Sequence, residues 1–118
     1  MTESGTLLRL LSEDELGLQS LQAFHRALDK EKHFDQDIYR NIAYLSGEIG
    51  ELVSAIRTQQ KAEDTSEKEA ARIRVGEELA DCLAYIVKLA NYTEVDLHEA
   101  YVNKMQRNTD REWRKAVR

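Results

Sequence analysis

Two stretches of this chain place carboxylates in apolar helical sequence at the same spacing. They are Glu48-Ile49-Gly50-Glu51-Leu52-Val53 and Glu78-Leu79-Ala80-Asp81-Cys82-Leu83, and Ile56 and Ile86 extend the echo. In each, two acids stand three residues apart. On a helix that turns about 100° per residue, such a pair lies about 60° apart, on one flank of the apolar stripe. Side chains so spaced are surface neighbours. If the two helices form an antiparallel hairpin, the pairs can face one another. Carboxylates about 4 Å apart repel by roughly 1 kcal/mol per pair in water, and by more where solvent is excluded. A hard divalent cation, magnesium or manganese, is the natural compensation for an all-carboxylate donor set. A site of that kind is suited to phosphate chemistry. Acids three apart also occur on plain solvated helix faces. The doubling, beside an apolar stripe and small residues, favours a site.

These acids must be positioned by helices. The chain has no proline and only five glycines, and helical periodicity is far easier to find than strand alternation. The expected class is all-α: a protomer resembling a four-helix bundle with a long central hairpin. Residues 1–11 read as an N-terminal tail and 12–118 as one domain. Ser12 with Glu15 forms a capping box that could open a first helix, carried by Leu18, Leu21, Phe24 and Leu28 to near Lys30. Residues 31–36 read as a bend. Asp37 is the expected N-cap of a second helix to about Gln60, with the stripe Ile42, Leu45, Ile49, Leu52 and Ile56. A polar linker over 61–67 precedes a third helix, about Ser66 to Ala90, striped by Val75, Leu79, Leu83, Ile86 and Ala90. Asp96 with Glu99 caps a fourth, running to about Lys115. Central helices of about 24 residues would be about 36 Å long. That is long for a protomer of 118 residues, so pairing as a homodimer or homotetramer is expected. Gly47, Gly50 and Gly76 inside helices suggest that a backbone or ligand approaches there closely.

Composition narrows the function. Hydrophobic residues make up 42% and charged residues 33%, as in a globular domain. The net charge of −5 tells against binding to a nucleic-acid polymer, though a bound cation can still draw in a small phosphate ligand. No apolar run is long enough for a membrane span, and no signal peptide is visible. Cys82 stands alone, so no internal disulfide is expected and a cytoplasmic location is the simplest. The residues three before His25, His33 and His98 are Gln22, Lys30 and Val95, so the Glu-x-x-His pattern of di-iron bundles is absent. No Cys/His cluster supports structural zinc. On the fourth helix, Lys104, Asn108 and Arg111 share a face, continuing the line of Leu97, Ala100 and Tyr101. Lys and Arg suit phosphate oxygens. A solvated helix end is the plain alternative.

Three segments together carry a resemblance: Gly47-Glu48-Ile49-Gly50-Glu51-Leu52, Glu77-Glu78-Leu79-Ala80-Asp81, and Lys104-Met105-Gln106-Arg107-Asn108-Thr109-Asp110-Arg111. They resemble the MazG-type nucleotide pyrophosphohydrolases of the all-α NTP pyrophosphatase superfamily, over about residues 20–113. The resemblance implies hydrolysis of a (deoxy)nucleoside triphosphate to the monophosphate and pyrophosphate, in nucleotide-pool house-cleaning. It implies magnesium on Glu48, Glu51, Glu78 and Asp81, with Lys104, Asn108 and Arg111 contacting phosphate and sugar. Tyr85 falls where such proteins place an aromatic near the nucleotide. Phe24, His25, His33 and Phe34 fall near their base pocket, although packing or surface roles are the plainer reading for each. Thr58 stands where some dCTP-selective members carry a stacking Trp, which weighs against cytosine selectivity. Trp113 reads as packing for a helix end or a subunit contact. Two other readings stand beside this one: a non-enzymatic helical interaction or regulatory module, and a related phosphoribosyl-ATP-type pyrophosphohydrolase.

Overall fold

Local signals start and stop each helix. The computed structural model describes residues 16–116, with side chains to residue 110. Helix α1 spans Leu18–Lys32. Its N-cap is Gly17, without a side-chain cap bond, and the expected Ser12–Glu15 capping box lies outside the described residues. At its end His33 adopts a left-handed conformation, φ 55°, and its N–H donates to the Asp29 carbonyl. That closes the helix where a polar bend was expected. Helix α2 spans Ile38–Lys61. Asp37 caps it as expected, accepting from the Arg40 N–H at 2.8 Å. Helix α3 spans Thr65–Tyr92 and is capped by Asp64, which accepts from Glu67 N–H at 2.7 Å. The linker is therefore shorter than the 61–67 read from composition. Helix α4 spans Leu97–Ala116, and Asp96 accepts from the Glu99 N–H at 3.1 Å. All regular structure among the described residues is helical, as expected. No helix among them is long and apolar enough to cross a membrane.

Helices α2 and α3 form the long hairpin, α1 lies along the later part of α3, and the main packing of α4 is against α1. Among the described residues the buried apolar core is thin and built mostly from small side chains: Ala55, Ala71, Cys82, Val87 and Ala90. A polar clasp joins α1 to the α3–α4 corner. Gln22 Nε2 donates to Asn91 Oδ1 at 3.0 Å and to the Val95 carbonyl at 2.8 Å. Gln22 Oε1 accepts from the Leu97 N–H at 2.9 Å, and Asn91 Nδ2 donates to the Gln22 carbonyl at 3.0 Å. Gln22 is 5% exposed, so these bonds satisfy groups that would be costly to leave open.

The apolar stripes of the two long helices are not covered within the single chain: Ile42, Ile49 and Ile56 on α2, and Leu79, Leu83 and Ile86 on α3, are exposed. Periodicity locates an apolar face but not its partner. No other element of the single chain approaches the helical glycines: among the described residues, a Cβ added at Gly47, Gly50 or Gly76 would touch nothing within 4 Å outside its own helical turns.

Candidate active site

The hairpin register decides which acids meet. Glu48 of α2 lies opposite Glu78 and Asp81 of α3, and one carboxylate oxygen from each falls within 4.8 Å of the others. Glu51 lies one turn closer to the hairpin loop. There it meets the residue one turn before Glu78, and its carboxylate is 3.6 Å from Arg74 Nη2. Three of the four predicted acids therefore converge, and the fourth pairs with a cation.

Glu48 and Glu78 are half-buried and Asp81 is exposed. Burial is the main cause that pushes the Glu48 carboxyl above the usual range. A hydrogen bond shared with Glu78, and the charges of Asp81, Glu78 and Glu51, push it the same way. Glu78 Oε2 is buried and has no hydrogen-bond partner among the described residues. An orphaned carboxylate oxygen beside two further carboxylates lacks a positive charge. The donor set is all oxygen, with a spacing close to that of ligands around one hard cation. These residues fit a divalent ion.

Aromatic rings extend the site along α3. Tyr85, one turn beyond Asp81, is half-buried and its ring centroid lies 5.9 Å from that of Tyr44. Burial, then the nearby charge of Glu48, raise the Tyr85 pKa. Another turn on, the Lys88 Nζ lies 5.3 Å from the Tyr85 centroid and 5.0 Å from that of Phe34. Lys88 is 9% exposed and paired with Asp29 at 3.2 Å. Tyr92 donates its hydroxyl proton to the other oxygen of Asp29. His25 is half-buried, packs its ring 5.1 Å from Phe24, and has its pKa lowered mainly by burial. His33 is the exposed helix end described above.

Sequence reasoning missed Lys88, Asp29, Tyr92 and Tyr44. The one available signal was periodic: Glu78, Asp81, Tyr85 and Lys88 recur at one face of a helix. Lys104 and Asn108 lie on α4, whose main packing is against α1 rather than against the α2–α3 hairpin that carries the acids. Arg111 and Trp113 have side chains outside the described residues.

Helical hairpin, converging carboxylates and flanking aromatics define an all-α protein whose clustered acids are suited to a divalent cation. Residues 36–113 match the MazG nucleotide pyrophosphohydrolase domain. The chain belongs to that family. It is 34% identical over 100 residues to dCTP pyrophosphatase 1 of Rattus norvegicus, an alignment covering 80% of this chain and 58% of that protein. The protein of the same name from Mus musculus is 33% identical over 100 residues, with 80% of this chain and 58% of that one covered. The chain thus spans somewhat over half the length of these relatives.

Proposed function

We propose that the chain hydrolyses a (deoxy)nucleoside triphosphate to the monophosphate and pyrophosphate with magnesium, in nucleotide-pool house-cleaning. The observation that carries this reading is the convergence of Glu48, Glu78 and Asp81 oxygens within 4.8 Å, together with the buried and unpartnered Glu78 Oε2. Glu48, Glu78 and Asp81 would hold the ion, and Glu51 stands close enough along α2 to join them if it leaves Arg74. When bound, the ion supplies charge neutralisation at the phosphates and a more acidic water. The raised Glu48 carboxyl is the group best suited to hold a proton at the site. Tyr85 and Phe34 offer faces for a base, and His25 borders them through Lys88 and Asp29.

Lys104, Asn108 and Arg111 are suited to phosphate and sugar contact, and their route to the acids runs through a second copy of the chain. Exposed apolar side chains along α2, α3 and α4 support such an assembly, a homodimer or homotetramer. The names of the rat and mouse relatives make dCTP one substrate to test, while Thr58 is exposed and small and offers no stacking face. The test is pyrophosphate release from a panel of dNTPs, NTPs and damaged analogues with magnesium. Turnover of at least one is expected, dependent on the metal. No release from any of them would overturn the reading.

A further inference from the structure

We infer that Lys88, anchored by Asp29, is a specificity-determining residue that donates to a carbonyl oxygen on the edge of the nucleobase. Bases that carry a carbonyl (cytosine, thymine, uracil, guanine) are then preferred over adenine. The inference rests on the pyrophosphohydrolase reading above and deepens it.

The placement comes from α3. Glu78, Asp81, Tyr85 and Lys88 follow one another along a single helix face. From Asp81 to Lys88 the axis advances about 10 Å at the standard rise. A phosphate held at the acids would therefore have its base, one sugar away, in the neighbourhood of Tyr85 and Lys88. That neighbourhood has rings for it. Phe34 is 45% exposed and Tyr44 42%, so both present open faces, and bases stack on such faces whatever their identity. Stacking alone cannot tell one base from another. A polar group among the rings can.

Beside the tyrosine hydroxyls, of which that of Tyr44 is turned to Asp35, Lys88 is the charged group there. An ammonium carries three N–H donors and no acceptor. Among the described residues its partners are one carboxylate and two ring faces. The facing oxygen, Asp29 Oδ1, is near enough for an ion pair at 3.2 Å but receives no directed hydrogen bond. Tyr92 pins the other oxygen of Asp29 from the far side. The protein thus fixes a cation in a nearly buried place and leaves donor capacity unused. The side chain retains 11% exposure, so its tip is not sealed off. A carbonyl oxygen matches an ammonium. An exocyclic amine such as that of adenine sets donor against donor, and a site built to donate discriminates strongly against such a mismatch.

The experiment measures kcat and KM on dCTP, dTTP, dUTP, dGTP and dATP with magnesium, for the wild type, Lys88→Met and Asp29→Asn. The wild type should favour at least one carbonyl-bearing base over dATP. In Lys88→Met that ratio of kcat/KM should fall by about tenfold or more, the worth of a charged hydrogen bond, and chiefly through KM. Asp29→Asn should shift it in the same direction by less. If Lys88→Met does not fold because Asp29 is left unpaired, the double variant Asp29→Asn/Lys88→Met leaves no lone charge and carries the same readout. Loss of equal size on all five nucleotides would assign Lys88 a purely structural role and overturn the inference alone. So would a wild type that favours dATP. A wild type inactive on every nucleotide would overturn the pyrophosphohydrolase reading and the inference with it.

Discussion

Protons and cations compete for the same oxygens of Glu48. Its carboxyl is raised above the ordinary range by burial and by the acids around it, so in the metal-free protein folding favours the protonated form. The stabilisation from that proton is complete below the unfolded pKa, about 4.3, and is lost as pH rises through the raised folded value. Without divalent ions, the melting midpoint should therefore decline as pH increases across that window. Glu48→Gln should flatten this part of the decline. Magnesium should raise the midpoint near neutral pH and have little effect in acid, where protons hold the site. The same substitution should cut turnover by at least about a hundredfold, since even outer-shell changes at metal sites cost up to that much. Melts in chelator and in magnesium check the pair of effects. A wild-type midpoint that does not move with pH in chelator would contradict the argument. The acid pairs were legible in the sequence because residues three apart meet on any helix. The separate fate of Glu51 was not, because it depends on which residue of α3 the hairpin register sets opposite.

At the scale of the element, the start of α2 is knit by Asp35. Its carboxylate accepts from Arg40 and from the Tyr44 hydroxyl, and one of its oxygens also takes the Asp37 N–H at 3.0 Å. Asn41, 1% exposed, donates Nδ2 to the carbonyls of Asp35 and Asp37, each at 2.8 Å. The hydroxyl contact ties the Tyr44 ring to this knot. The Arg40 hydrogen bond is the main reason the Asp35 pKa falls to about 2. A depressed carboxylate stabilises the fold above its unfolded pKa, about 3.9, and that contribution is lost as pH falls through the folded value. Asp35→Asn should lower the melting midpoint at neutral pH by no more than a few degrees, because the group is open to solvent. Relative to the wild type, it should also remove part of the acid sensitivity below about pH 4. Circular dichroism melts from neutral pH down to acid would show both. Helix caps of this kind were visible beforehand at Asp37 and Asp96, since a cap is a contact over three residues. The Lys88, Asp29 and Tyr92 group was not. Its members are separated by up to 63 residues and come together only when α1 docks on α3.

The whole molecule is too open for its length. A compact chain of 118 residues would have a radius of gyration of about 13.5 Å, whereas this one has 17.5 Å. Its apolar surface agrees. Ile49 is 47% exposed, Ile73 52%, Leu79 51% and Tyr101 57%, on three different helices. We expect light scattering to report a dimer or tetramer, and Leu79→Lys or Ile49→Lys to shift it towards monomer with loss of helical stability. A wild type that stays monomeric at micromolar concentration would contradict the assembly proposed above. The sequence showed these apolar faces and the helix lengths. It could not show which face stays inside the chain, because residues buried between copies and residues buried within one look alike in a periodic pattern. The thin core has a kinetic corollary. If each copy completes its neighbour, dilution would dissolve the catalytic centre along with the partnership, and activity per chain would climb with abundance. The amount of protein would then govern whether a working centre exists at all, as well as how many there are.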